Sequence, residues 1–570
     1  MGPHPERELL DAAAQKEVQQ FKDMGVGVIP SEEEIADVIR RGHKILRAKM
    51  VYKRKYEIVV GKDGQARERF LKWKARLAVV GTGEVEGVDT VWNTFSPTIG
   101  FTAVRLLISL MCNPDFDVRS YDLSGAFLGT ELKDRSVYVK LPKDAGSSSN
   151  QIIRLVKSAY GLKASSKEFV KQLSDKIMDF RSKDGGQFRR LSTDHCIYVY
   201  EGKHGEKIYL AHYVDDIICG ANDSKLREEF FNHLREKWAI TDEGTLDRFV
   251  GVHFTRSEDK RSWSATIGGY IDKIAKRFGM EQCRFADTPM DPGFVITERD
   301  LEEEPTEEMK STYRSLIGSI GFCATAVRYD IAYAVSVLSR HLARPNTKLI
   351  AAAKRVIQYL KRTRNFGITW SCDEATVKAR EANVLFASVD ASYANCQLTR
   401  KSHGGWLTFV NNGCVSWKSG RQPIVTLSSC EAEYVALCSM VCEVKYLRSL
   451  MAELGFPQEE PTLIWEDNRA TIMIAENDSS SAGRCKHIDV RFRFVAEAVR
   501  DGAVRVRYCP SAYNYADILT KPLVPVKFDS MRHMCHDSKV DQMSARGVSD
   551  EAWRTGERDS LSEGSFLIYF

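Results

Sequence analysis

Two adjacent aspartates, Asp215 and Asp216, interrupt the otherwise apolar stretch from Ile208 to Gly220. Apolar runs on both sides of an acidic pair fit a β-hairpin that carries both carboxylates at its turn. Neighbouring carboxylates with apolar flanks repel one another, and a bound divalent cation with oxygen ligands would neutralise them. A plain acidic turn is the other reading, because Asp-Asp pairs are common. A third acid, Asp122, stands alone in the apolar segment Tyr121–Leu128, where it needs a partner or a cation. Three carboxylates holding two cations about 4 Å apart are what in-line nucleotidyl transfer requires.

A second set of acids lies nearer the C-terminus. Asp390 ends the strand-like run Leu385–Val389, and Asp467 follows the apolar Leu463-Ile464-Trp465. Glu433 falls near the start of a long helical pattern. Ser428 and Glu431 form a capping box there, Leu447, Leu450, Met451 and Leu454 mark the apolar face, and Gly455 is the stop. Asp517 follows the alternating strand Val504–Tyr508 and a short turn. Each acid taken singly reads as a cap or surface residue. Together, in these contexts, they resemble the carboxylate tetrad of RNases H, which implies a two-metal hydrolytic site that activates water. The neighbouring Glu431 and Glu466 read as capping or solvated.

The elements that must position these acids are those of an ordinary globular chain. Of 570 residues, 43% are hydrophobic and 28% charged, which supports about four folding units. The net charge of +5 is too small for this length to identify a partner. Local charge says more: basic residues crowd the stretch from Arg40 to Arg76, which favours a polyanion or else a solvated sheet edge. The fourteen cysteines form no C-x-x-C pair, so structural zinc is not expected. No signal-peptide pattern opens the chain, which points to a reducing intracellular compartment, and no apolar stretch is long enough to span a bilayer. Residues 1–40 are polar with weak helical patterning, and a Gly61–Gly64 turn joins two strand-like runs. The acidic stretch Glu298–Glu308 reads as a linker. A helical pattern follows through Ile350, Ala353, Ile357 and Leu360, with Gly367 as its stop.

The ordered motifs resemble the reverse transcriptase and RNase H portion of copia-type LTR-retrotransposon Pol polyproteins. They are Lys74-Ala75-Arg76-Leu77, Thr94-Phe95-Ser96-Pro97, Asp122–Leu128, Tyr160-Gly161-Leu162-Lys163, Asp194–Tyr198, Tyr213-Val214-Asp215-Asp216 and Tyr313-Arg314. The resemblance continues through Thr399–Ser402, Ser416–Ser419 and Lys486–Asp489, and covers roughly residues 45–523. It implies an α/β and α+β multidomain chain: a palm-fingers-thumb polymerase followed by an RNase H-like mixed sheet of five strands.

On that resemblance the expected organisation is a polar segment at 1–40, polymerase at 41–295, a helical connection at 296–378, an RNase H-like domain at 379–525 and a mobile tail at 526–570. It implies catalytic and metal-binding roles for Asp122, Asp215 and Asp216, and for Asp390, Glu433, Asp467 and Asp517. It places Lys74 and Arg76 at the incoming triphosphate and Phe127 against the sugar 2′ position. Tyr160, Gly161 and Lys163 would shape the nucleotide and template pocket. The implied cofactor is Mg²⁺, with Mn²⁺ as substitute, two ions per site. The implied partners are an RNA template, a DNA primer, the RNA–DNA hybrid, dNTPs and other Pol or Gag products, in a cytoplasmic particle or the nucleus and not at a membrane.

Two segments depart from the family pattern: Ala164-Ser165-Ser166-Lys167 replaces Gln-Ala-Pro-Arg, and Val80 stands where an arginine is usual. The loop Pro510–Tyr515 lacks the histidine of cellular RNases H, and His487 is given no catalytic role. The rival readings are a degenerate element that binds nucleic acid without turnover, and a nuclease with an inactive polymerase.

Overall fold

The computed structural model describes residues 6–60, 66–87, 93–133, 135–183, 185–378, 382–476 and 489–536. The Gly61–Gly64 turn and His487 lie outside the described residues. The chain divides into two compact units, one of residues 1–99 with 117–246 and one of residues 100–116 with 247–570.

In the first unit a six-stranded antiparallel sheet runs in the order Ala239–Thr245, Asp117–Ser124, Asp216–Ala221, Lys207–Tyr213, Ile197–Glu201 and Phe188–Arg190. Alternation decides its buried face. Tyr121, Leu123, Tyr198, Tyr200, Leu210, Ile217 and Cys219 pack with Phe169, Leu173 and Ile177 of the Ser165–Asp179 helix, and with Phe230, Phe231 and Leu234 of the Ser224–Arg235 helix. Ala164 and Ser165, in the segment that departs from the family pattern, are buried at the start of the first helix. The Ser165 hydroxyl donates to the Ala159 carbonyl at 2.7 Å, so the small residue is required by packing.

The second sheet of this unit contains the long hairpin of Ile45–Val60 and Ala66–Val79, whose second strand is the sheet edge. The basic run therefore lies largely on an edge hairpin. The N-terminal segment is less polar in effect than its composition suggests. Its Arg7–Asp23 helix buries Ala14, Glu17, Val18 and Phe21, at helical spacing.

The second unit contains a mixed sheet ordered Gly413–Arg421, His403–Val410, Phe386–Ser392, Thr462–Glu466 and Val504–Tyr508. The first three strands are antiparallel, and the last two run parallel to the Phe386–Ser392 strand and to each other. This is the five-stranded mixed sheet expected of an RNase H-like domain. The capping box holds: Ser428 Oγ accepts from Glu431 N–H at 3.2 Å, and the helix Ser429–Glu453 ends before Gly455, whose φ of +87° closes it.

A four-stranded antiparallel sheet, Arg248–Phe249, Val252–Arg256, Ser262–Thr266 and Ile368–Ser371, belongs to the same unit. So do the helices Glu307–Ala326, Ala332–Ser339 and Thr347–Arg362. Gly367 is not the helix stop the sequence suggested, since the helix ends at Arg362. A Cβ at Gly367 would lie 2.0 Å from the Ala265 carbonyl, so the glycine permits two strands to meet.

Two further segments differ from the sequence reading. The apolar helix Phe101–Leu110 belongs to the second unit. There Arg105 donates to the carbonyls of Val415, Thr325 and Ala326 at 2.8 Å each, and its guanidinium lies 3.9 Å from the Trp417 ring centre. Past residue 525, where the tail was expected, the helix Pro525–His536 buries Phe528, Met531 and Cys535. Its Phe528 ring meets Tyr359 edge-on at 5.5 Å.

Candidate active sites

Strand register brings the first three acids together. Asp216 and Asp122 are direct partners on adjacent antiparallel strands, and Asp215 occupies the turn that starts from Tyr213. Val214 takes a φ of +57°, which lets the hairpin close within two residues. The Leu123 N–H donates to the Asp215 carbonyl at 3.0 Å, tying the turn to the Asp122 strand. Asp122, Asp215 and Asp216 are each half-buried. Burial raises Asp215 above the usual carboxylate range, with Asp122 adding to it and Arg76 and Lys74 opposing. Burial also pushes Asp216 up to about 6, helped by Asp215, Asp122 and Glu243. Glu243, which no sequence pattern singles out, sits at a bulge of the neighbouring strand.

The residues assigned to a nucleotide pocket fall into two groups. Lys74 and Arg76 are exposed on the edge strand. Burial and then Arg76 and Lys55 lower the Lys74 ammonium, while Asp122 and Glu17 favour its charge. The Arg76 guanidinium lies 4.7 Å from the Tyr160 ring centre, and Phe127 meets Tyr160 edge-on at 5.3 Å and Phe169 at 5.9 Å. Thus Arg76, Tyr160 and Phe127 form one aromatic and cationic wall, and Lys74 lies two residues before Arg76 on the same strand.

Gly161 and Lys163 serve the scaffold. Gly161 has a φ of +92°, and a Cβ there would stand 2.1 Å from the Val79 carbonyl. Lys163 is engaged twice with Glu84, through its N–H to Oε1 at 2.7 Å and its Nζ to the carbonyl at 3.1 Å. Sequence reasoning missed Glu17. It is buried on the N-terminal helix and accepts the Leu77 N–H at 3.0 Å, fixing the strand between Arg76 and its neighbours. The spacing of Ala14, Glu17, Val18 and Phe21 was the available signal.

In the second unit Asp390, Glu433 and Asp467 each offer a carboxylate oxygen within 4.8 Å of the others. Asp390 lies on the Phe386–Ser392 strand, Asp467 directly follows the parallel neighbouring strand Thr462–Glu466, and Glu433 comes from the first turns of the capped helix. Asp390 is pushed up to about 7 by burial, with Asp517 and Asp467 adding to it and Lys521 opposing. Burial followed by Glu466 holds Glu433 well above the carboxylate range. Its Oε2 is buried without a hydrogen-bond partner among the described residues. Close carboxylate oxygens with an unsatisfied buried acceptor are a donor set suited to a hard divalent cation.

Asp517 is placed differently. It is fully buried and not grouped with the other three; Lys521 lies 2.6 Å from Oδ1 and Lys527, on the Pro525–His536 helix, 2.5 Å from Oδ2. Lys521 also lies 3.6 Å from Asp390 Oδ2, which the Thr520 hydroxyl contacts too. The neighbours Glu431 and Glu466 diverge. Glu431 caps its helix, accepting the Leu427 N–H at 2.5 Å, as expected. Glu466 is neither solvated nor a helix cap: it is fully buried, and burial raises it well above the carboxylate range. It belongs to the inward face of its strand, and its Oε1 accepts the Asn468 N–H at 3.0 Å.

Residues 37–292 match the family described as "Reverse transcriptase (RNA-dependent DNA polymerase)". The chain is 28% identical to the Retrovirus-related Pol polyprotein from transposon TNT 1-94 of Nicotiana tabacum, over 93% of this chain and 38% of that one. It is 29% identical to the corresponding polyprotein from transposon RE1 of Arabidopsis thaliana, over 80% and 30%. It is 23% identical to the Transposon Ty1-NL2 Gag-Pol polyprotein of Saccharomyces cerevisiae, over 85% and 26%. The chain therefore spans about a third of the length of these relatives. Among solved structures, a foamy viral protease-reverse transcriptase in complex with double-stranded DNA aligns over 89% of this chain and 82% of its own, at 11% identity and a TM-score of 0.42. An RNase H1 isolated from compost aligns over 24% and 93%, at 13% identity and a TM-score of 0.20. Residues 37–292 thus carry a segment that matches a reverse transcriptase domain. Over most of its length the chain is similar in sequence to these retrotransposon Pol polyproteins.

Proposed function

We propose that this chain is an RNA-directed DNA polymerase that also hydrolyses the RNA strand of RNA–DNA hybrids. The observation that carries the reading is the pairing of Asp216 with Asp122 beside the Asp215 turn, inside the matched reverse transcriptase segment. The polymerase portion is taken as residues 41–295, the connection as 296–378 and the RNase H-like portion as 379–525. Asp122, Asp215 and Asp216 would hold two Mg²⁺ ions, for which Mn²⁺ can substitute, and so would Asp390, Glu433 and Asp467, with Asp517 as a fourth acid once its pairing with Lys521 and Lys527 is released. Such ions, when bound, polarise the attacking oxygen and neutralise the leaving one.

The chain's own residues do the rest. Lys74 and Arg76 bind the triphosphate of the incoming dNTP, and Phe127 stands against its sugar. Tyr160 backs that wall, while Gly161 and Lys163 keep the strand end and its loop in place. Partners are an RNA template, a DNA primer and the hybrid they form, together with other Pol or Gag products. The site of action is a cytoplasmic particle or the nucleus. No helix among the described residues is long and apolar enough to cross a membrane.

The test is divalent-metal-dependent extension of oligo-dT on poly-rA by the whole chain and by Asp215→Asn. Loss of one ligand should remove several kcal/mol of charge stabilisation, at least 100-fold in rate by order of magnitude. Equal extension by both proteins would remove the hairpin from the polymerase site.

A further inference from the structure

In the first unit three charged side chains from distant segments meet largely out of water. Arg135 donates through Nε and Nη2 to the two carboxylate oxygens of Glu168, at 3.0 and 3.2 Å, and through Nη1 to Glu84 Oε2 at 3.0 Å. The Glu84 side chain is fully buried and that of Arg135 is 4% exposed. Glu84 follows the turn after the Ala66–Val79 strand, Arg135 precedes the Val137–Lys140 strand, and Glu168 lies on the Ser165–Asp179 helix. Removing such charges from water costs about as much as their attraction returns. A buried ion cluster therefore adds little stability over apolar packing, and what a forked guanidinium between two carboxylates fixes is geometry.

Glu84 passes that geometry on. Its Oε1 accepts the Lys163 N–H at 2.7 Å, and its carbonyl accepts from Lys163 Nζ at 3.1 Å. Three residues back, the Tyr160 carbonyl accepts the Val79 N–H at 2.7 Å. The segments Val79–Glu84 and Tyr160–Lys163 are thus fastened to each other at both ends. Between the fastenings they touch, since a Cβ at Gly81 would lie 2.2 Å from the Gly161 carbonyl oxygen and 2.7 Å from Glu84 Oε1. Gly161, at a φ of +92°, is the residue about which the loop would turn if Lys163 were released. Directly before it stands Tyr160, whose ring meets both Arg76 and Phe127. Both departures from the family pattern border these anchors: Val80 follows Val79, and Ala164–Lys167 lies between Lys163 and Glu168. Lys167 adds a hold of its own, its Nζ donating to the Asn93 carbonyl at 2.7 Å.

We propose that Glu84 and Arg135 are positioning residues for the nucleotide pocket. The buried ion pair holds Lys163, Lys163 holds the loop, and the loop sets where Tyr160 and Phe127 stand against the sugar. The inference rests on the reverse transcriptase reading and deepens it. Glu84 is fully buried and acts through Tyr160, not by contact with the nucleotide.

The test is insertion of dUTP and of UTP, which differ only at the sugar 2′ position, by the whole chain on poly-rA/oligo-dT. Glu84→Ala should raise the KM for dUTP about ten-fold, change kcat less, and raise UTP insertion relative to dUTP insertion, because a displaced wall loses both contact and clash. Glu84→Gln keeps an oxygen for the Lys163 N–H and should return KM and sugar ratio most of the way to wild type. Arg135→Lys keeps the buried charge and gives up the fork, so it should move both values the same way by less, and it replaces Glu84→Ala if that variant does not fold. Variants with a lower urea midpoint but wild-type KM and sugar ratio would make the cluster a stability element only and overturn the proposal. Glu84→Gln no better than Glu84→Ala would overturn it too, since the retained acceptor would then count for nothing. Wild type that binds dUTP on a chain-terminated primer in Ca²⁺, yet inserts none in Mg²⁺, overturns the polymerase reading; the variants' dUTP affinities in Ca²⁺ then still decide the anchor. Wild type that binds no dUTP overturns both.

Discussion

Asp390→Asn should stabilise the metal-free second unit at alkaline pH while destroying the hydrolytic site. Asp390 is 2% exposed and lies among Asp467, Glu433 and Asp517. Its carboxyl is raised from 3.8 to about 7, burial being the largest cause, so the folded state holds its proton more tightly than the unfolded chain. That contribution favours folding below about pH 4 and is lost progressively as pH rises towards about 7. At about 1.4 kcal/mol for each tenfold change in proton affinity, the span from 3.8 to about 7 sets an upper bound of about 4 kcal/mol at pH 8. Asparagine keeps the shape and removes the ionisation. In EDTA at pH 8 the variant's second-unit transition should therefore need more denaturant than wild type, and near pH 4 the two should coincide. Adding Mg²⁺ should raise wild type more than the variant, because ligand binding to the native state stabilises by mass action. The assay is urea denaturation at pH 4, 6 and 8, with and without Mg²⁺. A variant less stable than wild type at pH 8 in EDTA, or a difference that does not change with pH, would refute the reasoning.

Other perturbations separate the parts. Asp467→Asn should abolish cleavage of the RNA strand of a hybrid and leave primer extension near wild type, since each cluster uses acids of its own unit. Cleavage that persists would move the role to the buried Glu466. Phe127→Val should raise ribonucleotide insertion relative to dNTP insertion, because shrinking a side chain against the 2′ position removes a clash. An unchanged ratio in single-nucleotide insertion would make Phe127 a member of the aromatic core formed with Tyr160 and Phe169. Gly161→Ala should destabilise the first unit by about 2 kcal/mol or more, through left-handed strain and the clash with the Val79 carbonyl at 2.1 Å. A variant with the wild-type urea midpoint would show that the loop relaxes freely.

Local signals in the chain were enough for the parts of each site that depend on neighbours in sequence. An acidic pair between alternating apolar residues specifies a hairpin with carboxylates at its tip. Ser428, Glu431 and Gly455 specify where the long helix begins and ends, because capping and left-handed closure are satisfied within four residues. What the sequence could not decide was each pairing between distant segments. Asp122 meets Asp216 only through strand register, and Glu466 faces inward beside Glu433 only because its strand lies next to Phe386–Ser392. Asp517 is neutralised by Lys527 from a helix that read as a tail, and Glu17 reaches Leu77 from a segment that read as polar. The helix Phe101–Leu110 shows the same limit: its apolar face required burial, and the fold supplied it with a partner more than 300 residues away at Val415. Periodicity reports which face of an element must be covered. Which surface covers it is settled by the tertiary fold, where packing and charge act between residues that the chain order keeps apart.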